Sequence, residues 1–129
     1  MMTDVIDYDE IKNELDSDWN EAIVDKPTFV DGDLGGMIKE DQIQIFMNPS
    51  DTVIATTGVA SSDFINTSFV MYISSNSKSN CDNMLGEVRR IINGKDKANA
   101  IWHIDDWFLR KSENLYWYNV SGSEILLDI

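Results

Sequence analysis

Ser79-Asn80-Cys81-Asp82-Asn83-Met84-Leu85-Gly86-Glu87-Val88-Arg89-Arg90-Ile91-Ile92-Asn93-Gly94 is the stretch on which the fold turns. Met84, Leu85, Val88, Ile91 and Ile92 fall at i, i+1, i+4, i+7 and i+8, which makes one apolar stripe and predicts an amphipathic helix. Ser79 with Asp82 three residues on reads as a capped start, because a hydroxyl can accept an orphan amide and an acid suits the positive end. Arg89 and Arg90 sit late, where cations are favoured, and Gly94 supplies a left-handed stop. After the linker at 95–99 come Ile101 to Lys111 and Leu115 to Val120, both rich in aromatic and β-branched residues. The short turn Ser112-Glu113-Asn114 between them makes a hairpin. One helix laid over a sheet that includes this hairpin is the predicted core.

Upstream, Asp7 with Glu10 three on predicts a capped helix from about Asp7 to Asn20, with Ile11, Leu15 and Trp19 at four-residue spacing. Pro27 forces Lys26 into an extended conformation, and Thr28 to Val30 make a short edge strand. Gln42 to Met47 alternates, with Ile43, Ile45 and Met47 on one face. Asn48 to Asp51 is a turn, Thr52 to Thr57 a second strand paired to the first as a hairpin, and Gly58 to Asp63 a polar loop. Phe64 to Ser74 is a longer strand, and Glu124 to Asp128 a possible last one. The order α-β-β-β-α-β-β predicts a single α+β domain over residues 1–129, a mostly antiparallel sheet with two helices packed on it. Both faces of the strands at 64–74 and 101–120 are rich in apolar residues. Two helices are too few to cover two faces, so a partner subunit is the expected cover.

The chain has 129 residues with 43% hydrophobic ones, enough for one core. It has no apolar run long enough to span a membrane. Its N-terminus, Met-Met-Thr-Asp-Val-Ile-Asp, lacks the basic start and apolar middle of a signal peptide. Cys81 is the single cysteine, which excludes an internal disulfide and argues against a cysteine-based zinc site. The expectation is a soluble protein that is intracellular or assembled into a virion. The net charge is −13 and unevenly placed: residues 1–63 carry fifteen acids against three lysines, whereas residues 64–129 carry eight acids against seven bases. Free nucleic acid is a poor partner for such a chain, since phosphate binding needs a basic face. The acidic half reads as a solvated surface, as adaptation to a salty medium, or as a face for a basic protein or a mimic of DNA.

Chemistry-bearing motifs are weak. Asp31-Gly32-Asp33-Leu34-Gly35-Gly36 begins like a calcium loop, but Gly35 and Gln42 stand where the third and twelfth positions need ligands. No Gly-Lys-Ser/Thr follows the glycines, so there is no phosphate loop. His103 and Asp105 are expected on one strand face about 7 Å apart, with Asp106 turned away, which gives an acid–base pair without a second base. Cys81 lies in a helix first turn, where a thiol pKa can fall, but no histidine is nearby in sequence. Val120-Ser121-Gly122-Ser123 lacks the framing glycine of a hydrolase elbow. The aromatics of the hairpin are expected to serve core and interface packing. Neither a catalytic residue, a metal nor a cofactor is assigned.

The element order at this length resembles the tail terminator or tail-completion proteins of tailed phages and tailed archaeal viruses. The residues that carry the resemblance are the Trp19-containing first helix followed by Asp25-Lys26-Pro27, the strand Phe69-Val70-Met71-Tyr72-Ile73, and the helix Leu85 to Ile92. The closing Leu109-Arg110-Lys111 and Asn114 to Val120 complete it. The resemblance implies a non-enzymatic ring, usually of six copies, that caps the tail tube and faces the neck under the capsid. It implies the tail tube protein and a head-completion or adaptor protein as partners, no cofactor, no sequence-specific nucleic acid and no membrane. The place implied is the virion tail or neck, after assembly in the host cytoplasm. A head–tail adaptor is the near alternative; an acidic DNA-mimic inhibitor and a small enzyme built on His103 are the competitors of other classes. Sheet edges and the segments 31–41 and 57–64 are the expected contacts. The side chains assigned to them are Asp31, Asp33, Leu34, Met37, Ile38, Phe64, Trp107, Tyr116 and Tyr118.

Overall fold

Backbone pairing along one long strand arranges the whole molecule. The computed structural model describes residues 6–47, 64–97 and 100–127. Helix α1 (Tyr8–Asp18) is followed by strand β1 (Thr28–Asp31), a 3-10 turn at Gly32–Leu34, β2 (Gln42–Phe46) and β3 (Phe64–Ser75). Helix α2 (Lys78–Ile92), β4 (Lys95–Asp96), β5 (Ala100–Ser112) and β6 (Leu115–Leu127) complete the order. The strands form one six-stranded sheet in the order β1-β2-β3-β6-β5-β4. Only β1 and β2 run parallel; the other pairs are antiparallel. The fold is α+β, as the element pattern predicts. The expected strand Thr52–Thr57, its flanking turn and the loop to Asp63 lie outside the described residues, and both edges of β2 are occupied by β1 and β3.

Both helices lie on one face of the sheet. On that face Ile43, Ile45, Phe69, Met71, Ile73, Trp102 and Val120 meet the stripe of α2 and Ile11 and Leu15 of α1 in one buried cluster. Each such side chain contributes about 1.5–3 kcal/mol by leaving water. The predicted α2 stripe is buried throughout, with Cys81 added at its start. The cap differs from expectation. Ser77, in extended backbone, accepts from the Asn80 amide, and Ser79 falls inside the first turn. The helix starts as soon as β3 ends, so the earlier of two competent serines takes the cap. Asp7 caps α1 by accepting from the Glu10 amide, as expected.

Two acids buried on this face hold the layers together. Glu87, with 3% of its side chain exposed, pairs with Arg90 at 2.7 Å. Its Oε1 also accepts from the Asn20 amide at 2.9 Å, while Arg90 donates to the Asp18 carbonyl that α1 leaves unsatisfied. Glu124 accepts from the Ile6 amide and the Trp102 indole, tying the start of the described chain to β5 and β6.

Strand β6 runs without a break from Leu115 to Leu127, where the sequence predicts a stop at Val120 and a separate last strand. The reason is Gly122. A Cβ there would lie 2.3 Å from the Phe69 ring and 2.7 Å from the His103 carbonyl. The glycine serves close approach inside the sheet rather than a turn. The expected linker after Gly94 is likewise partly strand, because Lys95 and Asp96 pair with Trp102 and Ile101. Gly122→Ala is expected to lower stability by about 2 kcal/mol in urea unfolding, as overpacked cores do. Phe69→Leu combined with it should cost less than the two single losses added; strict additivity contradicts the contact.

Candidate interaction surface

The connection from β1 to β2 begins at Gly32, whose position against the Phe46 ring admits no side chain. Phe46 pairs with Val70, and Gln42 with Ser74, all on the face away from the helices. The Lys39 amide donates to Gln42 Oε1 at 3.0 Å, and the Ser74 hydroxyl donates to the Lys39 carbonyl. Residues 32–41 are thus a strap laid on the open face at the β1 end of the sheet. Asp41, at φ 56°, turns the chain back into β2 and accepts from the Ser75 hydroxyl. The strap leaves Leu34 83% and Met37 79% exposed, with Ile38 half-buried beside them. Asp31 accepts from the Asp33 amide and Asp33 from the Met47 amide. The carboxylates that suggest a calcium loop are therefore spent on backbone amides, and they shape the strap.

A second group lies at the far side of the sheet. Register places Trp107 opposite Val120, Leu109 opposite Tyr118 and Lys111 opposite Tyr116, all on the helix-covered face. The β5 residues from Asp105 to Ser112 are exposed. Arg89 of α2 stacks over Trp107 at 4.2 Å, and Lys111 over Tyr116 at 5.3 Å. On the opposite face Arg110 lies over Phe108 at 4.8 Å, and Phe108 is 43% exposed. Leu34 and Met37 do not join this group. They lie four strands away on the other face, roughly 19 Å at the usual strand spacing. The backbone of Phe64 starts β3 opposite Leu127, and residues 57–63 of the expected contact lie outside the described residues. Phe108 was not among the expected contact residues. Its signal was present in the hairpin's aromatic run, but its face depends on a bulge.

That bulge also rearranges the histidine motif. The β5 register shifts between Ile104 and Asp106, so His103 pairs with Ser123 and Asp106 with Ser121. Ser121 and Ser123 share a face, so His103 and Asp106 do too. The expectation that Asp106 is turned away from His103 is therefore overturned: the extra residue, Asp105, has no partner in β6, and it brings Asp106 onto the face of His103.

Tyr118 and Cys81 sit where α2 starts. The Tyr118 hydroxyl donates to Asp82 Oδ1 at 2.6 Å, and Lys78 holds the other oxygen at 2.9 Å. The bond to Asp82 and then burial push the Tyr118 phenol up to about 12. Tyr118, followed by Lys78, holds the Asp82 carboxyl below its usual range. Cys81 is fully buried and donates to the Ile73 carbonyl. Burial pushes its thiol up to about 11, against the sequence expectation of a lowered value, because loss of water outweighs the helix end. No protein-family model matches the chain, and no curated protein sequence matches it.

Two outcomes follow. Cys81 should resist a thiol reagent at pH 8 in the native protein and react on unfolding; fast native labelling contradicts its burial. Tyr118 has a folded pKa above its unfolded value near 10, so its contribution to stability is full below pH 10. It is lost as pH rises toward about 12. Asp82→Asn should bring the phenolate absorbance change to lower pH and flatten that alkaline loss.

Proposed function

We propose that this chain is a non-enzymatic structural subunit of a virion, a tail terminator that assembles as a ring, caps the tail tube and joins it to the neck. One observation carries the reading. Among the described residues the helices cover a single face of the sheet, and the opposite face keeps Val30, Phe46, Tyr72, Ile101, Trp117 and Ile125 only half-buried. A sheet with apolar residues on both faces and helices on one is suited to being covered by neighbours, and closed assembly covers every copy in the same way. The exposed Leu34 and Met37 on the strap add a contact that a neighbour can fill.

The acidic first half fits a subunit beside passing DNA, which it would repel. It fits a DNA mimic less well. Glu14 is paired with Lys95 and Lys97, Asp16 with Lys26, and Asp18 with Lys95, so these carboxylates serve the fold. The partners of the reading are the tail tube protein and a head-completion or adaptor protein.

Leu34→Asp with Met37→Asp should abolish the assembled species seen by light scattering. It should change the unfolding free energy by less than about 0.5 kcal/mol, as surface changes do. His103→Ala should leave assembly intact. A wild-type chain that neither forms a ring-sized species at low or high salt nor binds tail tubes overturns the reading.

A further inference from the structure

Among the described residues strand β5 has an edge that no strand covers along most of its length, and its sequence is complementary to itself. Its outer side is used, among those residues, at its start. Lys95 and Asp96 pair with Trp102 and Ile101, the Gly94 amide donates to the Trp102 carbonyl, and the Ile104 amide donates to Asn93 Oδ1. Beyond the bulge no strand flanks β5 among the described residues. The Trp107 amide donates to Asp106 Oδ1 at 2.8 Å, which turns it away from β6. By the alternation of an antiparallel pair, Leu109 and Lys111 also turn their backbone groups outward.

Asp105-Asp106-Trp107-Phe108-Leu109-Arg110-Lys111 carries two acids at one end, two bases at the other and three large apolar residues between. We propose that two copies of the chain pair antiparallel through this edge, about a two-fold axis at Phe108, joining two six-stranded sheets into one. Asp105 then lies opposite Lys111 of the other copy, Asp106 opposite Arg110, Trp107 opposite Leu109, and Phe108 opposite itself. The outward-turned residues Trp107 and Leu109 face each other, as a hydrogen-bonded ladder requires. Trp107 and Leu109 meet on the helix face, while the two Phe108 rings meet on the open face beside the Asp106–Arg110 pairs.

The charges select this register. Centring on Trp107 sets Arg110 and Lys111 opposite Ile104 and His103. Centring on Leu109 sets Asp105 opposite Glu113 and Lys111 opposite Trp107. A parallel pairing lays like charges side by side. Charged residues usually blunt an exposed edge; here, of these pairings, the antiparallel self-pairing centred on Phe108 is the one that sets all four charges opposite their complements. The contact is isologous, so it cannot by itself close a cyclic ring and does not depend on the ring reading.

The test is the mass of the full chain in solution against concentration and salt. The expected result is growth from 14.7 kDa to twice that mass, weakened by salt that screens the exposed pairs. The variant Asp105→Lys/Asp106→Lys should stay monomeric, as should Arg110→Asp/Lys111→Asp. An equimolar mixture of the two should recover the dimer, because each supplies the charges the other needs. Unfolding midpoints of the two variants measured alone keep loss of folding apart from loss of contact. A wild-type chain that stays monomeric at all concentrations, a mixture that fails to pair, or a dimer that survives both reversals overturns the inference. A ring-sized species that survives both reversals overturns the edge pairing and leaves the ring reading standing. A dimer that both reversals abolish, with no larger species and no binding to tail tubes, upholds the edge pairing and overturns the ring reading.

Discussion

Three strands meet at Gly122, and the structure depends on that meeting. Phe69 of β3 lays its ring where a side chain on β6 would be, and Ile104 of β5 pairs at the same residue. The next residue of β5 is the bulge. Without it, Asp106 would follow Trp102 and Ile104 onto the helix-covered face, and Trp107 would turn to the open one. Burying an unpaired carboxylate against the helix layer is costly. The extra residue avoids that and gives Trp107 and Leu109 to the side where α2 can flank them. The local twist a bulge adds also suits a strand that leaves the covered core and continues as a free edge.

The helix layer is fastened by ionised groups rather than by apolar contact alone. Glu87 lies at helical spacing with Met84, Val88 and Ile91, on the buried side of α2. A lone carboxylate there would be unfavourable; with Arg90 on both oxygens and the Asn20 amide beside it, the site is satisfied. Arg90 holds the carboxyl of Glu87 below its usual range. The same logic applies to Glu14 between Lys95 and Lys97, where the two lysines lower its carboxyl. Some of the chain's acids therefore serve as clamps that fix α1 to α2 and β4, each offset by the base it holds. What remains exposed is not evenly spread in kind: acids shape the strap, while Arg89, Arg110 and Lys111 stack on hairpin aromatics.

Periodic and capping signals made much of this legible. The α2 stripe, the start of α1 at Asp7, the hairpin about Glu113 and Asn114 and the edge position of Thr28 to Val30 all follow from spacing and turn chemistry. What spacing misses is contact between distant segments. Gly122 reads as a break because glycine in a strand is ambiguous until Phe69 is placed over it. Ser77 and Ser79 are equal candidates for a cap until the end of β3 is known. The bulge leaves no local mark, so the face of every residue from Asp106 to Ser112 reads one position wrong. For the surface, Leu34 and Met37 stand out in an otherwise polar, glycine-rich loop, and they are exposed. Phe108 is absent from the expected contacts, which include its neighbour Trp107, because without the bulge the alternation does not show which face it takes.

The two exposed regions place different demands on an assembly. The strap carries its apolar side chains on a loop fixed by hydrogen bonds to Ser74, Ser75 and Gln42, so it is a preformed apolar projection. In the ring proposed above its contact would be heterologous and would close when the rotation between copies allows it. The β5 edge offers backbone groups and a charge pattern that match their own reverse, which favours a two-fold contact. One chain thus carries a means of turning around an axis and a means of pairing across one. Were both proposed contacts to form, a rotation between copies and a two-fold pairing would combine into dihedral rather than purely cyclic assemblies.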